Sequence, residues 1–513
     1  MFLFILSKRL FFILLTVLIA FSGLNAQNSI HKAASDGEIE IVKKLVENGI
    51  AVDARDADSM TALMYALLDD QEEVAEFLLS KGADVNTVDG EGTSVLFYAI
   101  ESQVPEMVEL LLIHNVKKNV KNGSGYPPMI TAIDGGENML SFLIEKGFDI
   151  NAKDINSMTA LSHLIVNKDF ELATLLVEKG ANINVKDEMG VPIIILVFQS
   201  QNTDFLNKLL SLKPDLNISD NDKKTLLMYV LEKKNTELAR QLIESGASVT
   251  AADRWEQSIF FYAVSNSDEN FMLYLLDKGA NGTGKSRIGD ISLNVSIEKG
   301  YLKLTERLIN TGVSLQARDR QNRTPLLTAA FFGYTALVKL MIEKGANVAD
   351  AFNDGKTLLM LVVLSPKTNA ETVSYLVLKG AKVNPQDYNS VNALMYAAKS
   401  GSTEVVKKLI ELGADFGAED REGKTVLLYA AEGGNVETVK FLVESNGRSV
   451  YLTDKANKWT ALHFAAINNH IEVARYLVAQ KATINAKDIK NQTPLSLAKT
   501  TTMKEYLKSV GAY

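Results

Sequence analysis

Apolar positions along the chain fall in short, regularly spaced clusters. Leu337, Val338, Met341 and Ile342 stand at i, i+1, i+4 and i+5, the spacing of one face of a helix. A shorter apolar stretch precedes them, and its small residues Ala329 and Ala330 permit close approach of a neighbouring helix. Before that stretch an aspartate opens a polar turn, Asp319-Arg320-Gln321-Asn322-Arg323, followed by Thr324. Gly345 closes the cluster, where a residue with positive φ ends a helix at low steric cost. The pattern predicts a turn, a short helix, a second helix and a glycine stop.

That unit repeats. Aligning Thr61-Ala62-Leu63-Met64-Tyr65-Ala66 with Thr159-Ala160-Leu161, Thr225-Leu226-Leu227, Thr324-Pro325-Leu326 and Thr493-Pro494-Leu495 sets a register. One position then recurs at 28, 61, 94, 127, 159, 192, 225, 258, 291, 324, 357, 392, 425, 460 and 493. Eleven of the fourteen steps are 33 residues, so the register runs unbroken to the end and leaves no room for a second domain. The stop glycine returns as Gly49, Gly82, Gly147, Gly180, Gly246, Gly279, Gly312, Gly380 and Gly413.

The pattern resembles the ankyrin repeat, a β-turn followed by two helices with a Thr-Pro-Leu-His-x-Ala core. The resemblance covers residues 27–513 in about fifteen units. It implies an α-dominated repeat solenoid that binds proteins through its concave surface and turn tips. The N-terminal cap is expected over about 27–52 and the C-terminal cap over about 493–513. Thr-Pro is whole at Thr324-Pro325 and Thr493-Pro494, but the histidine survives only at His31 and His463. Met64, Met228, Met360, Met395, Phe97, Phe261 and Leu428 replace it, so the hydrogen bonds it makes in the family should mostly be missing.

Two polar ladders accompany the register. Asp56, Asp89, Asp154, Asp187, Asp220, Asp253, Asp319, Asp387, Asp420 and Asp488 are expected to form turns through side-chain to backbone hydrogen bonds. Tyr65, Tyr98, Tyr229, Tyr262, Tyr396 and Tyr429 share one position, where they are expected to pack between neighbouring helices with the hydroxyl at the edge. A stripe for a carbohydrate or aromatic ligand is the other reading of that ladder.

Catalytic constellations are sparse. The five histidines, His31, His114, His163, His463 and His470, form no metal-binding pair, and with no cysteine, disulfides and thiol chemistry are excluded. Gly279-Ala280-Asn281-Gly282-Thr283-Gly284-Lys285-Ser286 matches the phosphate-binding string G-x-x-x-x-G-K-[ST]. A phosphate cradle needs a preceding strand and a helix that opens at the lysine, whereas Phe271 to Lys278 fits a second helix and Gly279 its stop. No metal or cofactor is expected.

Binding should lie in outward positions that vary between units. Most are small or polar, as at Ser35-Asp36, Glu101-Ser102, Lys399-Ser400 and Glu432-Gly433. Three neighbouring units differ, contributing Arg254, Trp255, Arg287, Ile288, Arg320, Arg323, Phe331 and Phe332 as candidate protein-binding residues. Trp and Arg are favoured at interface hot spots, and this set suits an acidic partner segment. The alternative is that the phenylalanines pack under the next turn and the arginines pair with nearby acids such as Glu256 and Asp290. Trp459 and Tyr388 are secondary candidates. Looser joints are expected at Ser365–Asn369 and Glu444–Thr453, where the register is stretched.

Residues 1–26 read as a secretory signal peptide. Lys8 and Arg9 precede the apolar run Leu10–Phe21, and small residues lead to cleavage before Gln27. The run is shorter than the roughly 20 residues a bilayer span wants, so an uncleaved anchor is the lesser alternative. Composition is that of a globular protein, 47% hydrophobic and 23% charged, with a net charge of −8. Losing the leader would make the rest more acidic, which argues against a nucleic-acid partner. The sequence therefore predicts an exported, monomeric, non-catalytic scaffold, periplasmic or secreted and of bacterial type, that meets the membrane only through its leader. A secreted effector acting on host proteins is the alternative, and a nucleotide-binding enzyme built on Gly279–Ser286 the remote one.

Overall fold

The computed structural model describes residues 30–513 except 266, 287–288, 291, 320, 366–367 and 445–448. The leader at 1–26, the candidates Arg287, Ile288 and Arg320, and parts of both stretched joints lie outside the described residues.

Among the described residues, the register residue turns out to be the N-cap of a first helix at 61, 94, 127, 159, 192, 258, 324, 357, 392, 425, 460 and 493. Thr61 is extended, and its hydroxyl accepts the amide of Met64, satisfying one donor that a helix start leaves open. Thr159, Ser258, Thr324, Thr357, Asn392 and Thr493 do the same for their own helices. Thr61 opens the seven-residue helix Ala62–Leu68, and the nine-residue helix Glu72–Ser80 runs after it. Short helices of this kind are marginal alone. Ala62, Leu63, Met64, Ala66 and Leu67 are all buried, because the first helix packs on its own second helix and on Val95–Glu101 of the next unit. Removal of this apolar surface from water supplies the stabilisation that propensity does not.

The stop glycines behave as the pattern predicts. Gly82 has φ +88, and an added Cβ there would meet nothing within 4 Å, so only its backbone conformation calls for glycine. Asn115, Lys213 and Lys481 take the same role with φ of 60, 52 and 65, against the steric resistance a side chain meets in the left-handed region.

The chain divides into two compact units, residues 1–229 with 244–247 and residues 230–243 with 248–513. The division falls inside one repeat. In the first unit the 32-residue step is absorbed by shortening the turn between helices: Pro128–Thr131 passes through a 3-10 turn, Ala132–Gly135, straight into Gly136–Glu145. In the second unit a two-residue hairpin pairs Lys285–Ser286 with Gly289–Asp290. The helices Pro494–Leu497 and Thr501–Ser509 occupy the residues over which the C-terminal cap is expected.

Candidate interaction surfaces

The two polar ladders are one device. In all ten turns the Asp Oδ1 accepts backbone amides two and four residues ahead, as Asp56 does from Asp58 and Met60 at 3.0 and 2.9 Å. The other nine repeat that pattern, from Asp89 through Asp488. The second oxygen, Oδ2, accepts the hydroxyl of the tyrosine nine residues on, in six units, at 2.5–2.8 Å. At the one position where His163 replaces tyrosine, its Nε2 lies 2.8 Å from Asp154 Oδ2. The ladder's hydroxyls are thus engaged inside the protein rather than presented as a ligand stripe.

Those bonds shift the groups involved. Burial first, then the bond to Asp56, pushes the Tyr65 hydroxyl up to about 12, and the same causes raise Tyr98. Burial alone would lift the Asp89 carboxyl, but the Tyr98 hydroxyl and the turn amides outweigh it and hold it below its ordinary value.

Part of the missing histidine bonding is replaced. His463 keeps bonds of this kind, its Nδ1 accepting the Thr460 amide at 3.1 Å and its Nε2 lying 3.3 Å from the Gln492 carbonyl. Where methionine stands instead, the Met64 and Met360 sulfurs accept the amides of Thr61 and Thr357 at 3.4 Å. Thioether sulfur is a weak acceptor that still satisfies the buried N–H.

The candidate binding residues separate into two groups. Phe331 and Phe332 end the helix Pro325–Phe331, 57% and 39% exposed, packed edge to face at 5.3 Å, with Phe332 stacked on Tyr334. Their exposure corrects the alternative of packing under the next turn. Arg254 and Trp255 instead occupy a turn ahead of the helix Ile259–Val264, with Arg254 exposed and Trp255 half-buried. Turn and helix end also belong to different repeats, the turn preceding register position 258 and the helix following register position 324. Arg323 departs from the expected binding role. Its guanidinium is clamped between Asp319 and Glu298, its side chain is 17% exposed, and pairing raises its pKa against the opposing pull of burial. Trp459 is likewise engaged, donating from Nε1 to Asp488 at 3.0 Å, while Tyr388 is 63% exposed.

The phosphate-loop string folds as the sequence context predicts. The helix Glu269–Asp277 ends at Gly279, φ +88, and Lys285 then lies in the hairpin strand instead of at a helix start. Among the described residues no group of three or more His, Asp or Glu could hold a metal ion.

Sequence reasoning missed Tyr334, which extends the aromatic pair, and a cluster of lysines around a cavity in the first unit. The aromatic signal was present in the sequence. The lysine signal was not, because basic residues at that position serve two different purposes.

The family model described as ankyrin repeats (3 copies) matches residues 10–89, 96–187, 194–286, 293–387, 369–454, 394–488 and 446–508. Among curated proteins, the Ankyrin repeat, SAM and basic leucine zipper domain-containing protein 1 of Rhinolophus ferrumequinum is 28% identical over 112 residues, 21% of this chain and 23% of that protein. The protein of the same description from Echinops telfairi is 30% identical over 110 residues, 21% of this chain and 23% of that protein. The chain therefore spans less than a quarter of the length of these relatives. Among solved structures, the human ASB11 ankyrin repeat domain aligns at 25% identity with a TM-score of 0.38, over 43% of this chain and 98% of that one.

Proposed function

The chain belongs to the ankyrin-repeat family, and from that premise we propose that it is an exported, non-catalytic, monomeric scaffold that holds a partner protein. Ankyrin repeats generally mediate protein–protein interaction, and the six ladder tyrosines and His163 are hydrogen-bonded to turn aspartates. The observation that carries the reading is the aromatic pair Phe331–Phe332, exposed at the end of its helix with Tyr334 behind it. Clustered aromatics that remain open to water on a soluble fold mark an interaction surface. The sequence-derived candidates Arg254 and Trp255 are read as part of the same binding surface, and Arg287, Ile288 and Arg320 lie outside the described residues.

The test is capture of proteins from the producing cell by the immobilised chain, beside Phe331→Ser/Phe332→Ser. Loss of a hot-spot pair should weaken a genuine partner at least about tenfold. A partner retained equally by both forms would move the contact elsewhere on the scaffold. Export is supported by the charged and apolar pattern of residues 1–26, and mass spectrometry of the protein outside the cytoplasm should find Gln27 as its first residue.

A further inference from the structure

A cavity of about 310 Å3 lies in the first unit, between the start of the helix Pro128–Thr131 and the loops that follow two successive second helices. Pro127, Met129 and Phe148 form its buried apolar wall, and Lys118, Lys121 and Lys153 also line it. Its size is at the lower end of the range for ligand pockets, about 300–1,000 Å3. The one acid in the lining, Asp149, accepts the Asn151 amide at Oδ1. Lys118 donates to the Lys146 carbonyl at 2.6 Å and holds its ammonium 5.5 Å from the centre of the Phe148 ring.

A groove at this place is a product of the repeat geometry. The second unit carries one of about 240 Å3 at corresponding register positions, with Val348 in the place of Lys118, Leu359 in that of Met129, Ala381 in that of Phe148 and Lys382 in that of Asp149. Lys118, Lys121 and Lys153 have no lysine counterpart in the second, whose lining holds Lys382 alone. Lys121 and Lys153 stand six residues before their register residues, a position that is also basic at Lys285 and Lys487 and at Arg55, Lys186 and Arg318. Each of those three reaches into the following unit: Arg55 to the Val88 carbonyl at 2.6 Å, Lys186 to the Ser219 carbonyl at 2.7 Å, and Arg318 to Asp350 at 2.6 Å. Lys121 and Lys153 are exposed and make no such bond among the described residues. In a chain of net charge −8, two unengaged cations beside an apolar cavity form a local reversal of sign.

We propose that this cavity takes an acidic segment of a partner protein. An apolar side chain of the segment enters against Phe148 and Met129, and carboxylates on either side of it meet Lys121 and Lys153. The proposal rests on the reading of the chain as a protein-binding scaffold and gives it a second contact with its own chemistry. A bare anion would leave the apolar wall uncovered, and an uncharged apolar segment would leave the lysines unanswered.

The experiment is fluorescence anisotropy of a dye-labelled peptide, Asp-Glu-Phe-Glu-Asp with blocked ends, titrated with the full chain. Saturable binding is expected, at least tenfold weaker when glycine replaces the peptide's phenylalanine. The double variant Lys121→Glu/Lys153→Glu should also bind at least tenfold more weakly. The double variant Lys233→Glu/Lys303→Glu changes the same charge at exposed positions in the second unit and should bind as the parent does. Circular dichroism melts of all three forms check that each is folded. Equal binding by both double variants, or displacement of the peptide by inorganic phosphate or free glutamate at the peptide's own concentration, would overturn the proposal. Partner capture by a chain that ignores the peptide would sink the cavity and leave the scaffold standing; failure of both would remove the two readings together.

Discussion

The turn aspartate and its tyrosine illustrate how a residue's role depends on a bond the sequence does not display. Each ladder is legible alone, since aspartate suits turns and an aromatic at a fixed helical position suits packing. Their connection spans nine residues across a turn and a helix start, and only the folded backbone brings Tyr98 within 2.5 Å of Asp89. Tyr98→Phe should cost about 1.5–3 kcal/mol at neutral pH, the value of a hydrogen bond to a charged acceptor. The cost should also depend on pH. Because the folded tyrosine's pKa is raised above its ordinary 10, the unfolded chain ionises first, and the stability due to the pair is present below that value and lost as pH climbs through the folded one. The lowered Asp89 carboxyl acts in the opposite range, contributing above its unfolded 3.8 and losing the contribution as pH falls through the folded value. Urea unfolding of parent and variant should therefore show a gap that is widest between those limits and narrows on either side. A gap unchanged from acid to alkali would mean that the bond is not what stabilises the turn.

Between elements, the clearest tie is Lys424. Its side chain is 9% exposed, held between the rings of Tyr429 and Phe464 at 4.3 and 4.2 Å and paired with Glu432, which also meets Lys399 at 2.9 Å. These residues join the helices Ala393–Ser400, Val426–Gly433 and Ala461–Ile467, three consecutive first helices of the stack. Both lysines hold the Glu432 carboxyl below its usual range although burial pulls it upward. Lys424→Ala should cost about 3 kcal/mol, since removing one partner of a buried pair leaves the other poorly compensated. Lys424→Met, which keeps the stem between the rings, should recover part of that loss in thermal melts. Apolar spacing alone locates these helices and the N-cap register. It does not locate the tie, because one lysine among many looks like a solvated charge until its neighbours on two other helices are known.

For the molecule as a whole, the uniform period conceals the division into two compact units. A repeat count treats each step alike, whereas compactness follows from how much packing each step preserves. Both tryptophans, Trp255 and Trp459, belong to the second unit, while helices occupy both. Tryptophan fluorescence thus reports one unit and far-ultraviolet circular dichroism reports the two together. Urea transitions followed by the two signals should have different midpoints, because a stack held by nearest-neighbour contacts need not unfold as one block. Coincident transitions would show that the units melt together. The same uniformity hides the lysine cavity from the sequence: at its register position Arg55, Lys186 and Arg318 are bonded to the next repeat, so a basic residue there does not by itself mark an open cation.

The aspartate–tyrosine bond closes within its own repeat, while Arg55, Lys186 and Arg318 reach forward to the next. A copied stretch of coding sequence thus brings its turn fastener along and leaves only the junction to be matched. Lengthening by duplication becomes an inexpensive change for the gene, and divergence can then concentrate on the side chains that no fastener uses.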